Sequence, residues 1–235
     1  GVFTLPFILP DHKAWDAATA SPAVMDDYFE LVRKAGAEPL AVGETGYRQI
    51  SNSKRPIKAP DDLRGIKVRV VGSPMYGEIM SGMGANPTFM SWADAQPALA
   101  SGAVDAQENP LEVFLAAKIH TLGQKYVTKW NYSNDILLFA IAQAVWQQWT
   151  QADQKIVREA AQDAARQQIA IVRKLFAEDV ERVRALGVEV HVPSAAEQQV
   201  WQIATRRIYA RWKVGTHAGL VGKIEQVAER ARGKA

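Results

Sequence analysis

The sequence predicts an α/β fold of two lobes, with one long helix that spans both of them. Short apolar runs alternate with short helical patterns between residues 66 and 141, which is typical of strands and helices that share a parallel sheet. A helical pattern then continues over residues 150–187 almost without interruption. A helix of this length extends ~55 Å, farther than one small lobe. The 235 residues, 48% of them hydrophobic, suit one large domain or two modest lobes.

The first elements are marked by their capping residues and by a loop. Ser21 and Pro22 predict the start of a helix, and helical spacing continues from there to Gly36. A short strand is predicted over residues 39–42. A polar loop at 52–62 precedes an alternating apolar and basic strand at 66–71, and we expect a lobe boundary near this loop.

The middle of the chain predicts short helices and strands in alternation. Proline or a capping side chain marks three helix starts, at Ser73-Pro74, at Ser91 with Asp94, and at Pro110. Residues 84–87 are expected to close the first of these helices, and Gly102 the second. Strands are predicted over 104–107, 126–130 and 136–141.

The long helix is predicted from Thr150, with Asp153 at the N3 position. Its apolar side chains recur three and four residues apart, as one helix face requires. They are Val157, Ala161, Ala165, Ile169, Val172, Phe176, Val180 and Val183. A short strand at 188–191, a helix capped by Ser194 and Glu197, and an amphipathic helix from His217 are expected to follow.

Composition excludes several classes of function. The 28 Lys and Arg residues nearly balance 25 Asp and Glu, and a net charge of +3 does not indicate a nucleic-acid partner. The absence of Cys removes disulfides, thiol nucleophiles and zinc-thiolate sites. The longest apolar run, 136–142, is far shorter than the ~20 residues of a membrane-spanning helix. The first residues lack the features of a signal peptide.

The sequence offers no catalytic or metal-binding constellation. The four histidines, His12, His120, His191 and His217, lie far apart and lack ligands at metal-binding spacing. A nucleophile elbow and a phosphate-binding loop are also absent. We therefore expect neither an enzyme nor a cofactor or metal site.

One residue is suited to holding an anion. Arg69 stands within the predicted strand at 66–71, where an apolar side chain is the default, and such a position fixes a guanidinium rigidly. A guanidinium meets a carboxylate with two parallel charge-assisted hydrogen bonds. The alternative is an arginine on the solvent side of an edge strand.

Four segments carry a resemblance to a known family. They are residues 61–70 (DDLRGIKVRV), 84–87 (GANP), 91–94 (SWAD) and 102–110 (GAVDAQENP). In order and spacing the chain resembles the solute-binding subunit of tripartite ATP-independent periplasmic (TRAP) transporters, the DctP-like type. The resemblance covers nearly all of the chain, and the last segment is its most specific element.

The resemblance implies a periplasmic-binding-protein-like fold that closes around an organic acid. Arg69 matches the arginine that grips the carboxylate, Asn109 a pocket amide, and Arg48 a second pocket arginine. Trp92 matches the aromatic residue that stacks on the ligand. Trp130 and Asn131 match further pocket positions, although the local motif departs from the family's histidine. For both tryptophans, core packing is the alternative.

The same resemblance implies how the chain is divided. Lobe I is expected to comprise residues 1–47 and 135–174, and lobe II residues 48–134 and 175–235, with hinges near 47 and 134. Residues 3–7 resemble a segment well inside the family's first lobe, which implies that the opening strands and helix of lobe I are missing.

The implied function is extracytoplasmic capture of a small carboxylate and its delivery to the integral membrane subunits of a TRAP-type transporter. The implied compartment is the periplasm, and the implied state is a monomer or dimer. The alternative is a carboxylate-binding sensor domain that signals to a membrane partner. The sequence leaves open which acid is bound.

Overall fold

The computed structural model describes residues 1–215 and 217–233, which form nine α-helices, three 3-10 helices and seven β-strands. The α-helices are α1 (His12–Ala20), α2 (Pro22–Lys34), α3 (Pro74–Gly82), α4 (Trp92–Ser101), α5 (Leu111–Ala116), α6 (Gln143–Trp146), α7 (Gln151–Arg184), α8 (Ala195–Lys213) and α9 (Ala218–Ala231). The strands are β1 (Ala37–Asn52), β2 (Lys67–Val70), β3 (Asn86–Phe89), β4 (Ala106–Pro110), β5 (Tyr126–Thr128), β6 (Asn134–Ala142) and β7 (Glu189–His191). The 3-10 helices are Val2–Thr4, Pro60–Leu63 and Ile119–Leu122.

Strand β1 connects the two halves of the molecule. Its first part pairs antiparallel with β6, and its last part pairs antiparallel with β4 and β5. The strands are ordered β3-β2-β4-β1-β5-β7, and β6 joins through β1 alone. Strand β2 runs parallel to β3 and β4, as predicted for the middle of the chain.

The predicted strand at 39–42 was far too short, because β1 continues for 16 residues to Asn52. The part of β1 beyond the predicted strand contains Glu44, Arg48 and Gln49, which do not show the apolar alternation of a strand. These polar residues are nevertheless buried, since other side chains satisfy them. A pattern of hydrophobicity alone could not have detected this continuation.

Strand β1 is irregular at Gly46. The pairing of β1 with β6 shifts in register between Glu44 and Tyr47, and Gly46 has a φ of +89°. A residue with a side chain rarely adopts this conformation, and a Cβ at Gly46 would lie only 3.3 Å from Glu112 Oε2. The irregularity therefore depends on glycine.

A buried carboxylate holds β1 to its neighbours beside this irregularity. Glu44 accepts hydrogen bonds from Asn134 Nδ2 at 2.8 Å and from Arg173 Nε at 2.8 Å. His12 Nε2 lies 3.1 Å from its Oε1. Although burial alone raises the pKa of Glu44, these partners lower it below its ordinary value, so the carboxylate stays ionised. One side chain thus connects β1, β6, α1 and α7.

The long helix is confirmed as α7. It contains 34 residues, and the Thr150 side chain accepts from the Asp153 backbone N–H as predicted. At a rise of ~1.5 Å per residue it extends about 50 Å. It contacts β1 near one end and α5 and β7 near the other, so it spans both lobes.

The buried side chains form two hydrophobic clusters. The larger cluster centres on aromatic residues, among them Trp15, Trp130, Tyr132 and Trp201. The smaller one includes Phe114, Val127 and Val183. Helix α9 packs on α1 and α2, so the last helix lies beside the first two in space. The residue bounds proposed for the two lobes stay a prediction.

Helix α1 and strand β3 are among the elements that were missed from the sequence, as are α6 and the 3-10 helices. Helix α1 begins after Asp11, whose side chain accepts from the Ala14 backbone N–H, and the prediction began helices only at Ser21. Residues 84–87 were expected only to close a helix, but Asn86 and Pro87 begin β3, which pairs parallel with β2. This strand is largely exposed, so its residues lack the apolar alternation that signals a strand.

Glu112, in the first turn of α5, is partly buried, and its carboxylate lies against Gly46 of β1. Neither of its carboxylate oxygens has a hydrogen-bond partner among the described residues. Burial raises its pKa from 4.5 to about 7, and the negative charges of Asp179 and Glu44 act in the same direction, while Lys129 opposes them. The unfolded chain releases this proton near pH 4.5, whereas the native state holds it to about pH 7. Stability therefore falls as the pH rises through this window.

We expect Glu112→Gln to remove the loss of stability that accompanies this rise in pH. At pH 8 the variant should exceed the original protein in free energy of unfolding by about 2 kcal/mol, and at pH 4.5 the two should agree. Urea denaturation at both pH values measures the difference. Glu159→Gln is the control, because Glu159 is exposed on α7. Parallel pH profiles for the Glu112→Gln variant and the original protein would contradict the assignment.

Candidate functional site

The predicted anion-binding arginine lies on a polar face of the sheet. Arg69 on β2 is in register with Gln107 on β4, and Asn109 two residues farther along β4 is in register with Gln49 on β1. Side chains alternate between the faces of a strand, so these four residues share one face. Arg48 and Glu108 occupy the alternate positions.

Arg69 is held by neutral partners. Its Nε and Nη2 both donate to the carbonyl oxygen of Met90, at 3.0 and 2.8 Å. Its guanidinium carbon lies 5.4 Å from the ring centroid of Trp92, within the range of a cation–π contact. The residue is only 3% exposed, yet Nη1 has no hydrogen-bond partner among the described residues and is not sealed from solvent. The guanidinium is thus held in one orientation, and the N–H groups of Nη1 have no acceptor among the described residues.

Asn109 ends a chain of buried amides. Its Nδ2 donates to Gln107 Oε1 at 2.6 Å, and Gln107 Nε2 donates to Ser51 Oγ at 2.8 Å. Ser51 Oγ in turn donates to Gln124 Oε1 at 2.9 Å. Since each amide fixes the next, the orientation of Asn109 is set by residues of three strands or loops.

Arg48 is bound to a carboxylate of its own protein. Its Nε and Nη2 both donate to the carboxylate of Glu108, with Nη2–Oε1 at 2.8 Å. Nη2 also donates to the backbone oxygen of Glu108 at 2.8 Å and to Asn109 Oδ1 at 3.2 Å. Although burial alone lowers the pKa of Arg48, the charge and hydrogen bonds of Glu108 raise it above its ordinary value.

Three side chains around this pair were not predicted from the sequence. Tyr132 donates to Glu108 Oε2 at 2.6 Å, and Tyr76 donates to Asp135 Oδ2 at 2.5 Å. Asp135 Oδ2 lies 3.7 Å from Arg48 Nη1. Burial raises the pKa of Tyr132 far above its ordinary value, so its hydroxyl stays a donor. Two carboxylates therefore surround Arg48.

The two predicted tryptophans occupy different environments. Trp92, the first residue of α4, is partly exposed and lies over Arg69. Trp130 is fully buried and packs on Tyr132 and Trp201, with ring centroids 4.4 and 5.0 Å away. This is the core-packing environment that the sequence left open as an alternative.

Asn131 is held by Gln49, which lies on the same face of the sheet as Arg69. Its backbone N–H donates to Gln49 Oε1 at 3.0 Å, and its Oδ1 accepts from Gln49 Nε2 at 2.6 Å. Its φ of +51° is an αL conformation that Asn tolerates better than most residues. Asn131 thus borders Gln49 rather than Arg69.

The structure therefore brings four of the six predicted residues together in two contacting pairs, Arg69 with Trp92 and Arg48 with Asn109. Trp130 stands apart in the core. Glu108 was missed although it lies inside the segment 102–110 that carried the resemblance. An acidic residue between two amides, directly after the predicted strand at 104–107, was the available signal, since a buried carboxylate needs a cationic partner.

The described cavities do not include these residues. A cavity of about 620 Å³ lies between α5 and α7, lined by Glu112, His120 and Arg182 among others. A second of about 390 Å³ lies at Pro74 and Trp212. Arg48, Arg69 and Asn109 are instead buried, each at most 9% exposed.

Among residues 1–215 and 217–233, no group of three His, Asp or Glu side chains is placed to hold a metal ion. Within the same residues, no helix is long and apolar enough to cross a membrane. The shared strand, the spanning helix and a rigid cationic donor group are features of the class of two-lobed solute-binding proteins. Residues 1–214 match the bacterial extracellular solute-binding proteins, family 7 (DctP), and the chain belongs to this family.

Relatives of known name are consistent with this membership. A 2,3-diketo-L-gulonate-binding periplasmic protein of Escherichia coli is 33% identical over 194 residues, which are 79% of this chain and 56% of that protein. The chain thus spans little more than half the length of the curated relatives it matches.

Solved structures resemble the chain over almost all of its length. A TRAP periplasmic solute-binding protein of Ralstonia eutropha with bound (S)-2-acetolactate is 49% identical with a TM-score of 0.94, covering 97% of this chain and 74% of the other. A sugar-acid-binding protein of Advenella mimigardefordensis in complex with galactonate is 26% identical with a TM-score of 0.92, covering 98% and 74%. The predicted family and the two-lobed α/β fold are confirmed.

Substitution of each tryptophan separates a core role from a surface role. We expect Trp130→Ala to lower the free energy of unfolding by about 3–5 kcal/mol, because it empties a packed aromatic cluster. Trp92→Ala should lower it by about 1 kcal/mol or less, since the ring is partly exposed. Chemical denaturation measures both values. Similar losses for the two variants would show that their environments are not as different as the packing indicates.

Proposed function

We propose that this chain captures a small organic acid in the periplasm and delivers it to the integral membrane subunits of a TRAP-type transporter. The observation that supports this most strongly is the guanidinium of Arg69, which is buried, oriented and open along one edge. A buried cation without a counter-charge is costly, and a ligand carboxylate removes that cost.

The proposed contact is a pair of charge-assisted hydrogen bonds. Arg69 Nη1 and the remaining proton of Nη2 point the same way along the planar group, which suits the two oxygens of a carboxylate. Such bonds contribute about 1.5–3 kcal/mol each. Because Met90 and Trp92 already hold the guanidinium, little side-chain entropy is lost on binding.

The other predicted residues take different roles in this proposal. Asn109 offers an amide to the ligand, Trp92 covers its apolar part, and Arg48 lies beside Asn109. Trp130 and Asn131 act through their neighbours, Trp130 by supporting Tyr132 and Asn131 by fixing Gln49.

Ligand entry is proposed to require separation of the lobes, 1–47 with 135–174 and 48–134 with 175–235. The proposed hinges are near residue 47, beside the irregularity of β1 at Gly46, and near Asn134, where β6 begins. Helix α7 crosses both lobes and bends with them. On closure, water leaves the arginine–carboxylate pair, which strengthens it.

The similar proteins support an acid as the ligand. Those from Escherichia coli, Ralstonia eutropha and Advenella mimigardefordensis are named or solved with diketogulonate, acetolactate and galactonate, each of which carries a carboxylate. A panel that contains these acids, read by thermal shift, is the first experiment. A ligand at about 100 times its dissociation constant adds ~2.7 kcal/mol to stability.

Arg69→Ala is expected to weaken binding of each acid that the panel identifies by at least about tenfold, because it removes both charge-assisted bonds. Titration calorimetry measures the dissociation constant. Arg64→Ala is the matched control, since Arg64 is exposed and pairs only with Asp61 at the surface. Unchanged affinity in the Arg69→Ala variant would refute the assignment of Arg69, and no binding of any acid by the original protein would refute the proposed function.

A further inference from the structure

The cavity between α5 and α7 is lined by groups that the capture of an acid at Arg69 does not use. Its volume of about 620 Å³ lies within the range of small-molecule sites, about 300–1,000 Å³. Its described lining comes from residues 112–121, in α5 and the turn after it, and from residues 175–186 at the end of α7. None of these residues belongs to the sheet face that holds Arg69. The cavity is therefore a separate place in the fold.

Much of the lining is apolar. Leu115 and Ala116 come from α5, Leu175 from α7, and Leu186 from the turn after that helix. Leu186 is 44% exposed, so water contacts a large part of this aliphatic side chain. Burial of such surface against an apolar molecule is favourable, roughly in proportion to the area removed from water. The lining thus suits the hydrocarbon part of a ligand.

Two cations in the lining have no counter-charge among the described residues. Lys118 and Arg182 make no ion pair there, whereas Arg184, two residues farther along α7, contacts Glu181 at 2.8 Å. The backbone of Lys118 has a φ of +51°, an αL conformation that costs energy for a residue with a side chain and that occurs preferentially at ligand sites. Both side chains are therefore available to an anionic group in the cavity.

Among the described residues that line the cavity, Glu112 is the only acid, and its carboxylate lies against β1. Both of its oxygens are sealed from solvent, and Oε2 lies 3.3 Å from the position that a Cβ on Gly46 would take. Burial raises the pKa of Glu112 to about 7, so its carboxyl group is mostly uncharged at pH 6. Asp179, whose charge also acts on Glu112, pairs with Lys129 at 2.6 Å. The charge that the lining presents to a ligand is therefore positive.

We infer that the cavity between α5 and α7 is a second ligand site, which takes a free amphipathic carboxylate with an apolar body and a single anionic head. The apolar body packs on Leu115, Leu175 and Leu186, and the head accepts charge-assisted hydrogen bonds from Lys118 and Arg182. 2-Acetolactate and galactonate have no extended apolar body and are not expected here. The second site goes beyond the proposed function and does not depend on it.

Octanoate is the probe, and titration calorimetry at pH 6 measures its binding. Octanamide has the same apolar body without the charge, and it should bind at least about tenfold more weakly. The double variant Lys118→Gln/Arg182→Gln should weaken octanoate binding by at least about tenfold, and both residues are exposed, so the fold should persist. Arg166→Gln is the matched control, since Arg166 lies on α7 and pairs with Asp163 at the surface. Absence of octanoate binding, or equal affinity in the double variant, overturns the inference.

A second pair of variants tests the apolar part of the site. Leu186→Asp places a negative charge in the apolar lining and should weaken octanoate binding by at least about tenfold. Ile156→Asp is the control, because Ile156 is 64% exposed near the other end of α7, and it should leave the affinity unaltered. Equal affinities in the two variants contradict the assignment of the apolar lining.

Arg69→Ala separates the two sites. Octanoate should bind this variant with unchanged affinity, because Arg69 does not line the cavity. Loss of octanoate binding in Arg69→Ala, with retention in the double variant, would place octanoate at Arg69. That result overturns the inference and leaves the proposed function intact. Binding to vesicles of phosphatidylglycerol without binding of free octanoate also overturns it, since the ligand would then be a lipid surface.

Discussion

A buried guanidinium needs a compensating anion, and this constraint organises the central sheet. Two arginines are buried on neighbouring strands, Arg48 on β1 and Arg69 on β2. The first finds its anion in Glu108, and removal of one partner from such a pair typically costs about 3–5 kcal/mol. The second is held by a neutral carbonyl and a ring. The two arginines therefore differ in whether a carboxylate of the described residues balances their charge.

The polar groups around these arginines depend on β1. This strand brings Glu44 to the first half of the molecule and Arg48, Gln49 and Ser51 to the second. Strand β1 pairs mainly with β6 before Gly46 and with β4 and β5 after it, so Gly46 lies between its two sets of partners. Helix α7 contacts the same strand, so the long helix packs against the strand that joins the two parts of the sheet.

The sequence predicted those parts of the fold that local patterns encode. Capping residues such as Thr150 and Ser194 marked helix starts correctly, and the apolar stripe predicted the long helix. The full extent of β1 could not be predicted, because its polar half is stabilised by partners up to about 130 residues away, such as Arg173 with Glu44. Arg69 could be singled out from the sequence, because it stands in a predicted strand where an apolar side chain is the default. The ion pair between Arg48 and Glu108 could not be predicted, because the sequence does not show which residues of β1 and β4 will contact each other.

The most direct test of this account is a crystal structure of the chain with 2-acetolactate. The account predicts a carboxylate oxygen within about 2.7–2.9 Å of Arg69 Nη1, with the Arg48–Glu108 pair intact. A carboxylate bound to Arg48 with Glu108 displaced, or bound in the cavity between α5 and α7, would contradict it.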